Sequence, residues 1–377
     1  MENHSSKSSP EIRKDIQAEA DNLDQLDNKY EEQRCHIRRR PGMYIGRVGD
    51  GSNSDDGIYA MFKEIVDNAV DEYLMGFGDR IDISVEHGMV SVRDYGRGIS
   101  LDKLVKSVTK ICLIEKTDTA DYTFRNIGLD KIGTKVVNTL SSKFEITSWR
   151  EGKCRTALFH EGVLINDKYI DPGEEKSGTF VRFMPDSKIM PNYKYRLPIL
   201  AKRLQIYACL NRGLTLCLNG KKFHSPHGLL ELIKHKSVDE KDNYPTVSFY
   251  YKKPGLEFVL CPAEKSKGHF YSFVNGLYTI DGGTHLSAFK MGIKQAINEY
   301  FKKSFAVHEI QKGIWGVISI WVLDGYFESA ARNKFNDTRV QSLIRNAVKK
   351  SFLYFLQENP DKAKAFLNVL ETIRDSK

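Results

Sequence analysis

The order of apolar and polar residues predicts a helix followed by a β-hairpin near the start of the chain. Apolar residues recur every three or four positions over Ile58–Leu74, which is the spacing of one face of an amphipathic helix. Residues 81–86 and 89–94 then alternate between apolar and polar on either side of a His-Gly pair, as two strands joined by a tight turn do. Helix and then hairpin is therefore the predicted local order.

Downstream, helices mix with runs of strand-like residues. Helices are predicted in LDKLVKSVTKICL, after the glycine-punctuated loop IGLDKIG, and in RLPILAKRLQIYACLN. Strands are predicted in KFEITSWREGK, CRTALFHEG, GTFVRFMP and LTLCLNGKKF. This mixture is typical of an α+β sandwich and disfavours an alternating βαβ fold.

The chain divides into three predicted segments. Residues 1–33 are polar and charge-rich, which predicts a flexible N-terminal arm ending in a short helix, and residues 34–240 form a first domain. A polar break, KSVDEKDNYP, precedes a second α+β domain over residues 241–377. Its predicted elements are strands at TVSFYYKK, GLEFVLCP, GHFYSFVNG and GIWGVISIWVL, and helices over 285–303, 338–357 and 361–374.

Composition sets limits on this picture. The chain has 377 residues with 41% hydrophobic content, enough to bury ordinary cores. It has no apolar run of about 18 residues and no apolar segment typical of a signal peptide at its start, so we expect an intracellular protein without membrane contact. The six cysteines form no CxxC pair and are interpreted as reduced thiols. The formal charge of +8 is compatible with a nucleic-acid partner, and equally with basic loops that only maintain solubility.

Three short motifs could carry chemistry, and each also has a purely structural interpretation. Glu64 and Asn68 lie one turn apart in EIVDNAVDE and border an apolar face, but an ordinary solvated helix has the same pattern. In RDYGRGI, Asp94 could accept a hydrogen bond from an exocyclic amine beside glycines that admit a planar ring, although D-x-G-x-G is also a common turn. The loop IGLDKIG exposes backbone N–H groups to anions, or is a plain helix cap.

The order of these motifs resembles the Bergerat nucleotide fold. Within residues 38–99, the stretches RRRPGMYIG, EIVDNAVDE and VRDYGRGI closely resemble the B subunit of bacterial type IIA topoisomerases, gyrase and topoisomerase IV. The stretch SFVNGLYTIDGGTHLSAFK at 272–290 is similar to the region where that family's second domain begins its long helix. The resemblance implies a Bergerat-type ATP-binding α/β sandwich followed by a second, α+β transducer domain, with topoisomerase IV slightly favoured over gyrase.

The resemblance assigns catalytic roles to two residues of the opening helix. Glu64 corresponds to the general base that polarises the water attacking the γ-phosphate of ATP, which requires an ionised carboxylate. Asn68 corresponds to an oxygen ligand of Mg²⁺. The neighbouring acids Asp67, Asp71 and Glu72 receive no catalytic role and are expected to form salt bridges or to be solvated.

The resemblance also assigns a purine pocket. Asp94 corresponds to the acceptor for the adenine amino group, supported through water by Thr179. Gly98 corresponds to the glycine that lets adenine approach. Arg97 is expected to flank the pocket, and Ile99 to form its apolar wall.

The expected phosphate lid departs from the family pattern, which is GGLHGVG or similar. The residues assigned to phosphate by position are Lys116, Gly128, Leu129, Lys131 and Gly133. Lys131 stands where a glycine is usual, and the upstream GGK is replaced by IEK. A side chain at Lys131 disfavours the positive φ angles that glycine allows, although its ammonium group could contact phosphate. We therefore expect a lid that closes differently, or hardly at all.

The second domain departs from the family at the loop that normally carries Q-T-K, whose lysine contacts the γ-phosphate. Here YFESAARNK places Ala330, Ala331 and Arg332 at those positions. Arg332 can supply positive charge, but its planar guanidinium does not reproduce the point charge of a lysine. Lys334 could serve if the loop shifts its register, and a loop that merely caps a strand is the structural alternative.

The function implied by the resemblance is an ATP-operated clamp. Two B-type subunits would form a homodimer on ATP binding, trap double-stranded DNA and reopen after hydrolysis, with an A-type subunit as a further partner, in the cytoplasm at the nucleoid. The family's E-G-D-S-A type metal-binding motif does not occur before Lys377, so we expect no DNA cleavage by this chain alone. Tyr30 is a candidate for the family's dimer-contacting tyrosine.

Two alternatives remain open. The first is a nucleotide-binding but weakly hydrolysing module that pairs or competes with a full-length topoisomerase chain, which the altered lid and the Ala-Ala-Arg loop favour. The retention of both Glu64 and Asn68 argues against it. The second is a DNA-binding scaffold without nucleotide, which would leave the whole purine pocket unexplained.

Overall fold

The computed structural model describes most of the chain. The described residues are 30–109, 132–234, 247–263, 268–322, 325–328 and 332–375. The residues of interest that lie outside them are Lys116, Gly128, Leu129, Lys131, Ala330 and Ala331. The predictions made for those six residues are therefore neither supported nor opposed by the structure.

The described residues form two compact units. The first comprises residues 30–78, 82–109 and 132–196, and the second comprises 79–81 together with the described residues from 197 onward. The predicted domain boundary at 240/241 lies outside the described residues and stays a prediction. None of the described helices combines the length and the apolar character needed to cross a membrane.

The helices of the first unit include the one predicted from the opening pattern. They are α1 (residues 30–39), α2 (Gly42–Ile45), α3 (Gly57–Leu74), α4 (Leu104–Thr109, preceded by a 3₁₀ turn at Leu101–Lys103) and α5 (Ile132–Thr139). On α3 the predicted apolar stripe is fully buried, with Phe62, Ile65 and Val66 at most 2% exposed. Each such side chain contributes about 1.5–3 kcal/mol when buried, so the stripe fixes the orientation of α3.

The first large sheet has eight strands in the order β5-β4-β3-β6-β2-β1-β7-β8. Their bounds are β1 (Arg80–Glu86), β2 (Met89–Asp94), β3 (Ser141–Arg150), β4 (Lys153–His160), β5 (Val163–Ile170), β6 (Gly178–Pro185), β7 (Thr215–Leu218) and β8 (Lys221–His224). The pairs β2–β6, β3–β6, β3–β4, β4–β5 and β7–β8 are antiparallel. The α+β class expected from the sequence is confirmed.

The second unit contains a separate five-stranded sheet in the order β12-β11-β13-β10-β9. Its strands are β9 (Phe249–Lys253), β10 (Leu256–Pro262), β11 (Phe270–Val274), β12 (Leu277–Tyr278) and β13 (Ile314–Ile320). The helices of this unit are α6 (Leu197–Leu210), α7 (Leu229–Lys234), α8 (Thr284–Phe301), α9 (Val307–Gly313), α10 (Arg339–Glu358) and α11 (Pro360–Asp375). Strand β11 runs parallel to β13, whereas β10 runs antiparallel to both β13 and β9.

Both faces of the five-stranded sheet are covered by apolar side chains. Along β10, Phe258 and Leu260 belong to a cluster with residues of α8, α10 and α11. The alternate residues Val259 and Cys261 belong to a second cluster with residues of α6 and α7. Because successive strand residues point to opposite faces, this run of consecutive apolar residues is the pattern of a strand buried on both sides.

Candidate nucleotide-binding site

Glu64 and Asn68 stand at the edge of the buried stripe of α3, and both are half-buried. They are four residues apart, so their side chains lie on one side of the helix, as predicted. In the part of the chain that the structure describes, no hydrogen bond or ion pair engages the Glu64 carboxylate. Among the described residues, nothing competes with a ligand or a water molecule for this carboxylate.

The first turn of α5 packs directly against this pair. Gly133 lies so close to Glu64 that a Cβ atom at position 133 would overlap the Glu64 carboxylate. Asn68 Nδ2 donates a hydrogen bond to Thr134 Oγ1, and Thr134 is buried. Thr134 was not among the predicted site residues. Gly133 was predicted to contact phosphate. The structure shows a second reason for a glycine at this position, because it leaves room for the Glu64 carboxylate.

A magnesium ion would find one protein oxygen at this position. Among the described residues, no group of three or more His, Cys, Asp or Glu side chains could hold a metal ion. Mg²⁺ commonly takes one or two protein ligands and completes its shell with waters and phosphate oxygens. Since Nδ2 of Asn68 is engaged by Thr134, the Oδ1 of Asn68 is left as a metal ligand. The donor set fits a phosphate-bridged Mg²⁺.

Asp94, the last residue of β2, is buried, and one of its two carboxylate oxygens is hydrogen-bonded to the protein. Its Oδ1 accepts hydrogen bonds from the backbone N–H of Gly96 at 2.9 Å and of Thr179 at 3.1 Å. No described residue donates to its Oδ2. Burial raises the pKa of Asp94 from 3.8 to about 6, although the two N–H donors oppose this shift. At neutral pH the side chain is a carboxylate with one free, poorly solvated oxygen.

Thr179 therefore contacts Asp94 directly through its backbone. From the sequence we expected Thr179 to support Asp94 through water, and the structure adds a direct N–H bond that any residue except proline could make at this position. Thr179 lies near the start of β6 and is 9% exposed. Its hydroxyl group remains the candidate for the expected water contact.

The fold requires a glycine at position 98, independently of any ligand. Its φ angle is +75°, and a Cβ atom there would overlap the backbone oxygen of Trp149 and lie 3.2 Å from that of Gly178. The turn is also anchored beyond the glycine, because Ser148 Oγ donates to the Ile99 oxygen at 2.8 Å. The glycine thus allows the turn to pack against β3 and β6. This packing requires a glycine whether or not adenine binds, and it adds to the adenine-binding role that the resemblance implies.

Arg97 is held in place by Glu72. Its Nη2 lies 3.0 Å from Glu72 Oε1, its backbone N–H donates to Glu72 Oε2 at 2.9 Å, and its guanidinium lies over the Phe77 ring at 4.5 Å. Another acid of α3, Asp67, pairs with Lys63 on the same helix. The expectation that the extra acids of α3 form salt bridges is confirmed for Glu72 and Asp67.

Tyr30, the candidate dimer-contacting tyrosine, is engaged within its own chain. Its hydroxyl donates to the Gly162 oxygen at 2.6 Å, and burial raises its pKa to about 12. Arg34 on the same helix donates to the neighbouring Glu161 oxygen at 3.2 Å. These bonds fasten α1 to the turn between β4 and β5.

In the second unit, Arg332 and Lys334 lie on one exposed loop. Arg332 has a left-handed φ of +56°, and its guanidinium lies 5.9 Å from the centre of the Phe327 ring. Lys334 Nζ forms an ion pair with Glu328 Oε1 at 2.8 Å, which raises the pKa of Lys334. Within the described residues, Lys334 is the one of these two cations that is paired with an anion.

Helix α3 carries a half-buried glutamate and asparagine one turn apart, and strand β2 ends in a buried aspartate followed by a glycine turn. Together they define a nucleotide-binding unit of the Bergerat class. Residues 53–189 match the family of histidine kinase-, DNA gyrase B- and HSP90-like ATPases. Residues 228–377 match the DNA gyrase B family. The chain therefore belongs with the B subunits of gyrase and topoisomerase IV, and the resemblance found in the sequence is confirmed.

Individual proteins agree with these matches. The chain is 41% identical over 329 residues to the B subunit of DNA topoisomerase 4 from Borreliella burgdorferi, covering 87% of this chain and 54% of that protein. A structure of the 43K ATPase domain of Thermus thermophilus gyrase B in complex with an aminocoumarin superposes with a TM-score of 0.73 at 26% identity, covering 90% of this chain and 94% of that one.

A second solved structure gives the same result. The topoisomerase IV ATP-binding domain of Francisella tularensis, in complex with a small-molecule inhibitor, has a TM-score of 0.70 at 25% identity and covers 90% of this chain and 96% of that one. The Bergerat-type sandwich followed by a second α+β unit is thus confirmed. The chain spans about half the length of the curated relatives it matches.

Proposed function

We propose that this chain is the ATP-binding and ATP-hydrolysing clamp region of the B subunit of a type II DNA topoisomerase. The observation that carries the proposal is the half-buried Glu64–Asn68 pair, packed against Gly133 and Thr134, with Glu64 free of partners in the described chain. A purely structural helix has no need of a glycine that makes room for a carboxylate. Its relatives are B subunits of gyrase and topoisomerase 4, which supports this function.

The purine of ATP would be recognised by Asp94. Its free Oδ2 accepts from the exocyclic amino group of adenine, because Oδ1 is already occupied by two backbone donors. Ile99 follows the Gly98 turn and supplies an apolar surface for the ring, and Arg97, fixed by Glu72, borders it. This arrangement favours adenine over guanine, which presents an oxygen in place of that amino group.

Hydrolysis would depend on Glu64 and Asn68. Glu64 accepts the proton of the attacking water, a role that requires an ionised, unpaired carboxylate aimed at one water. Asn68 Oδ1 would hold Mg²⁺, and the ion would supply positive charge to offset the negative charge that develops on the phosphates. The phosphate contacts carried over from the resemblance are Lys116, Gly128, Leu129, Lys131, Gly133 and either Arg332 or Lys334.

The same proposal covers the partners. ATP binding would bring two copies together around double-stranded DNA, and an A-type subunit would complete the enzyme. The alternative, a weakly hydrolysing regulatory module, is favoured by one specific observation: Lys334 is held by Glu328, so a lysine contact to phosphate would first have to break an ion pair.

Binding and turnover of ATP by the purified chain test the proposal. Calorimetry should show Mg²⁺-dependent ATP binding with much weaker GTP binding, and a phosphate-release assay should show turnover that EDTA abolishes. Binding without turnover above the level of buffer would support the regulatory alternative. Absence of ATP binding would refute both functions.

A further inference from the structure

A buried hydrogen-bond chain in the second unit lies behind the loop that carries Arg332 and Lys334. Its members, Ser272 on β11, Thr279 after β12 and His285 at the start of α8, are at most 2% exposed. Ser272 Oγ and Thr279 Oγ1 are 2.7 Å apart, Thr279 Oγ1 lies 2.9 Å from the Ser272 oxygen, and His285 Nε2 lies 3.1 Å from Thr279 Oγ1. The Thr279 hydroxyl is therefore the centre of the chain.

The direction of the bond between His285 and Thr279 depends on the tautomer of the imidazole. When the Thr279 hydroxyl donates its one proton to the Ser272 oxygen, its lone pairs accept from Ser272 Oγ and from His285 Nε2. Burial lowers the pKa of His285 to about 3, so the ring is neutral, and in this arrangement its single proton is on Nε2. The buried Nδ1 then has no hydrogen-bond partner among the described residues.

The turn that follows Thr279 is tied to the cationic loop by backbone bonds. Asp281 N–H donates to the Asn333 oxygen at 3.0 Å, and Phe335 N–H donates to the Gly282 oxygen at 3.0 Å. Thr284 N–H donates to the Phe335 oxygen at 2.9 Å. The segments approach so closely that a Cβ atom on the intervening glycine, residue 283, would overlap the oxygen of residue 335. Residues 333 and 335 of the loop therefore follow the turn.

Side-chain packing also connects the turn after Thr279 to the loop that carries Arg332 and Lys334. The His285 ring meets Phe335 edge-on, with centroids 5.3 Å apart, and Phe335 meets Phe327 at 5.3 Å. Phe327 lies under the guanidinium of Arg332. Phe335 is fully buried, so this row of rings connects the interior of the unit to the exposed cation. His285 is the side chain that contacts both Thr279 and Phe335.

We propose that His285 is a positioning residue: by bonding to Thr279 and packing on Phe335, it fixes residues 332–335, which carry Arg332 and Lys334. The benefit of fixing this loop rests on the proposed ATPase function, but the fixing itself can be measured without an activity assay. It assigns a physical role to the histidine of the stretch GGTHL, for which sequence analysis supplied only a resemblance.

Hydrogen exchange of backbone amides tests the positioning. In His285→Asn, which moves the amide away from the Nε2 position, and in Thr279→Val, the Thr284 and Phe335 amides should exchange about 2- to 10-fold faster, the factor expected for one lost buried hydrogen bond. His285→Gln places an N–H near the Nε2 position and should restore the wild-type rates. Ser319→Ala is the matched control, because Ser319 Oγ on β13 is buried without a partner in the described chain.

The inference is overturned if His285→Asn leaves the exchange rates of the Thr284 and Phe335 amides unchanged, or if amides of β13 such as that of Val317 accelerate equally.

A double-mutant cycle tests whether His285 affects ATP turnover through the loop. His285→Asn should lower ATP turnover in the wild-type background without changing ADP affinity, and should cause no further loss when Arg332 and Lys334 are both alanine. An equal loss in both backgrounds would show that His285 does not act through the loop. A wild-type chain without turnover would refute the proposed function, while the exchange rates would still decide on the positioning.

Discussion

One carboxylate oxygen of Asp94 accepts two backbone hydrogen bonds and the other has no donor among the described residues, which makes the substitution of Asp94 informative. In Asp94→Asn the side-chain oxygen must remain with the buried N–H groups of Gly96 and Thr179. The amide nitrogen would then face the adenine amino group, donor against donor. We expect calorimetry to show ATP affinity lower by about 5- to 150-fold, which corresponds to the roughly 1–3 kcal/mol cost of an unpaired buried group.

An exposed carboxylate provides the control for this substitution. Asp102 bonds to the Ser100 hydroxyl on the surface, and Asp102→Asn should bind ATP as the wild type does. If Asp94→Asn also kept the wild-type affinity, Asp94 would not be the acceptor for adenine.

The raised pKa of Asp94 predicts a pH-dependent stability. Because burial raises this pKa from 3.8 to about 6, the folded state binds the proton more tightly than the unfolded state does. The contribution of Asp94 to stability is therefore fully present below pH 3.8 and is lost as the pH rises through 6. Asp94→Asn removes this titration. Urea unfolding should show the stability of the variant relative to the wild type increasing from about pH 4 to about pH 7, and a constant difference would contradict the assigned burial.

Gly133 is predicted to act through Glu64. A methyl group in Gly133→Ala would overlap the Glu64 carboxylate and push it from its position, so ATP turnover should fall by about tenfold or more while ADP affinity changes little. Gly42→Ala is the matched control, since a Cβ atom at Gly42 meets nothing within 4 Å. Wild-type turnover in Gly133→Ala would mean that Glu64 tolerates displacement and is not a precisely placed base.

The residues that sequence analysis found and missed differ in a physical way. Glu64, Asn68 and Asp94 stand in local motifs, so residue type and spacing together with the family resemblance could propose them. Thr134 matters because its hydroxyl meets Asn68, 66 positions away, and Ser148 because it bonds to the backbone of residue 99, 49 positions away. No local pattern encodes such contacts, since they depend on which elements the fold brings together.

At the scale of elements, the loop of the second unit carries the sharpest departure from the family. If Arg332 contacts the γ-phosphate, Arg332→Ala should reduce ATP turnover and ATP-induced dimerisation together and leave ADP binding unchanged, because ADP lacks that phosphate. Arg332→Lys should preserve or raise turnover if the loop keeps its register. Phosphate release and sedimentation on the same preparations measure both effects.

The ion pair of Lys334 provides the competing outcome. Glu328→Gln frees Lys334 and should raise turnover only if Lys334 is the phosphate contact. If Lys334→Ala loses both activities and Arg332→Ala resembles the wild type, the assumed register is wrong. If neither substitution has an effect, the loop does not reach the nucleotide.

Elements were predictable where burial leaves a periodic signal. Helix α3 begins at Gly57, one residue before its predicted start, and α8 spans Thr284–Phe301 against a predicted 285–303. Strand β5 was missed because it is an edge strand with every residue exposed, and its apolar residues cluster at its two ends without alternating with polar ones. The short helices α7 and α9, of six and seven residues, were missed because they are too short to establish a helical period.

At the scale of the whole molecule, the sequence predicted an ATPase unit followed by a transducer. The family matches over residues 53–189 and 228–377 fall in that order. The boundary predicted at 240/241 stays a prediction; strands β7 and β8 belong to the eight-stranded sheet and to the second compact unit. A polar break marks a change of surface and does not reveal which sheet a strand joins.

If Glu64 is the general base, it is needed for ATP hydrolysis and not for ATP binding. In Glu64→Ala, calorimetry should give an ATP affinity close to that of the wild type, and sedimentation should show the same ATP-induced dimer, because neither depends on a general base. Turnover in the same preparation should fall by about 10²- to 10⁴-fold, the usual contribution of general acid–base catalysis. Turnover equal to that of the wild type, with ATP bound, would contradict the claim that this chain hydrolyses ATP through Glu64.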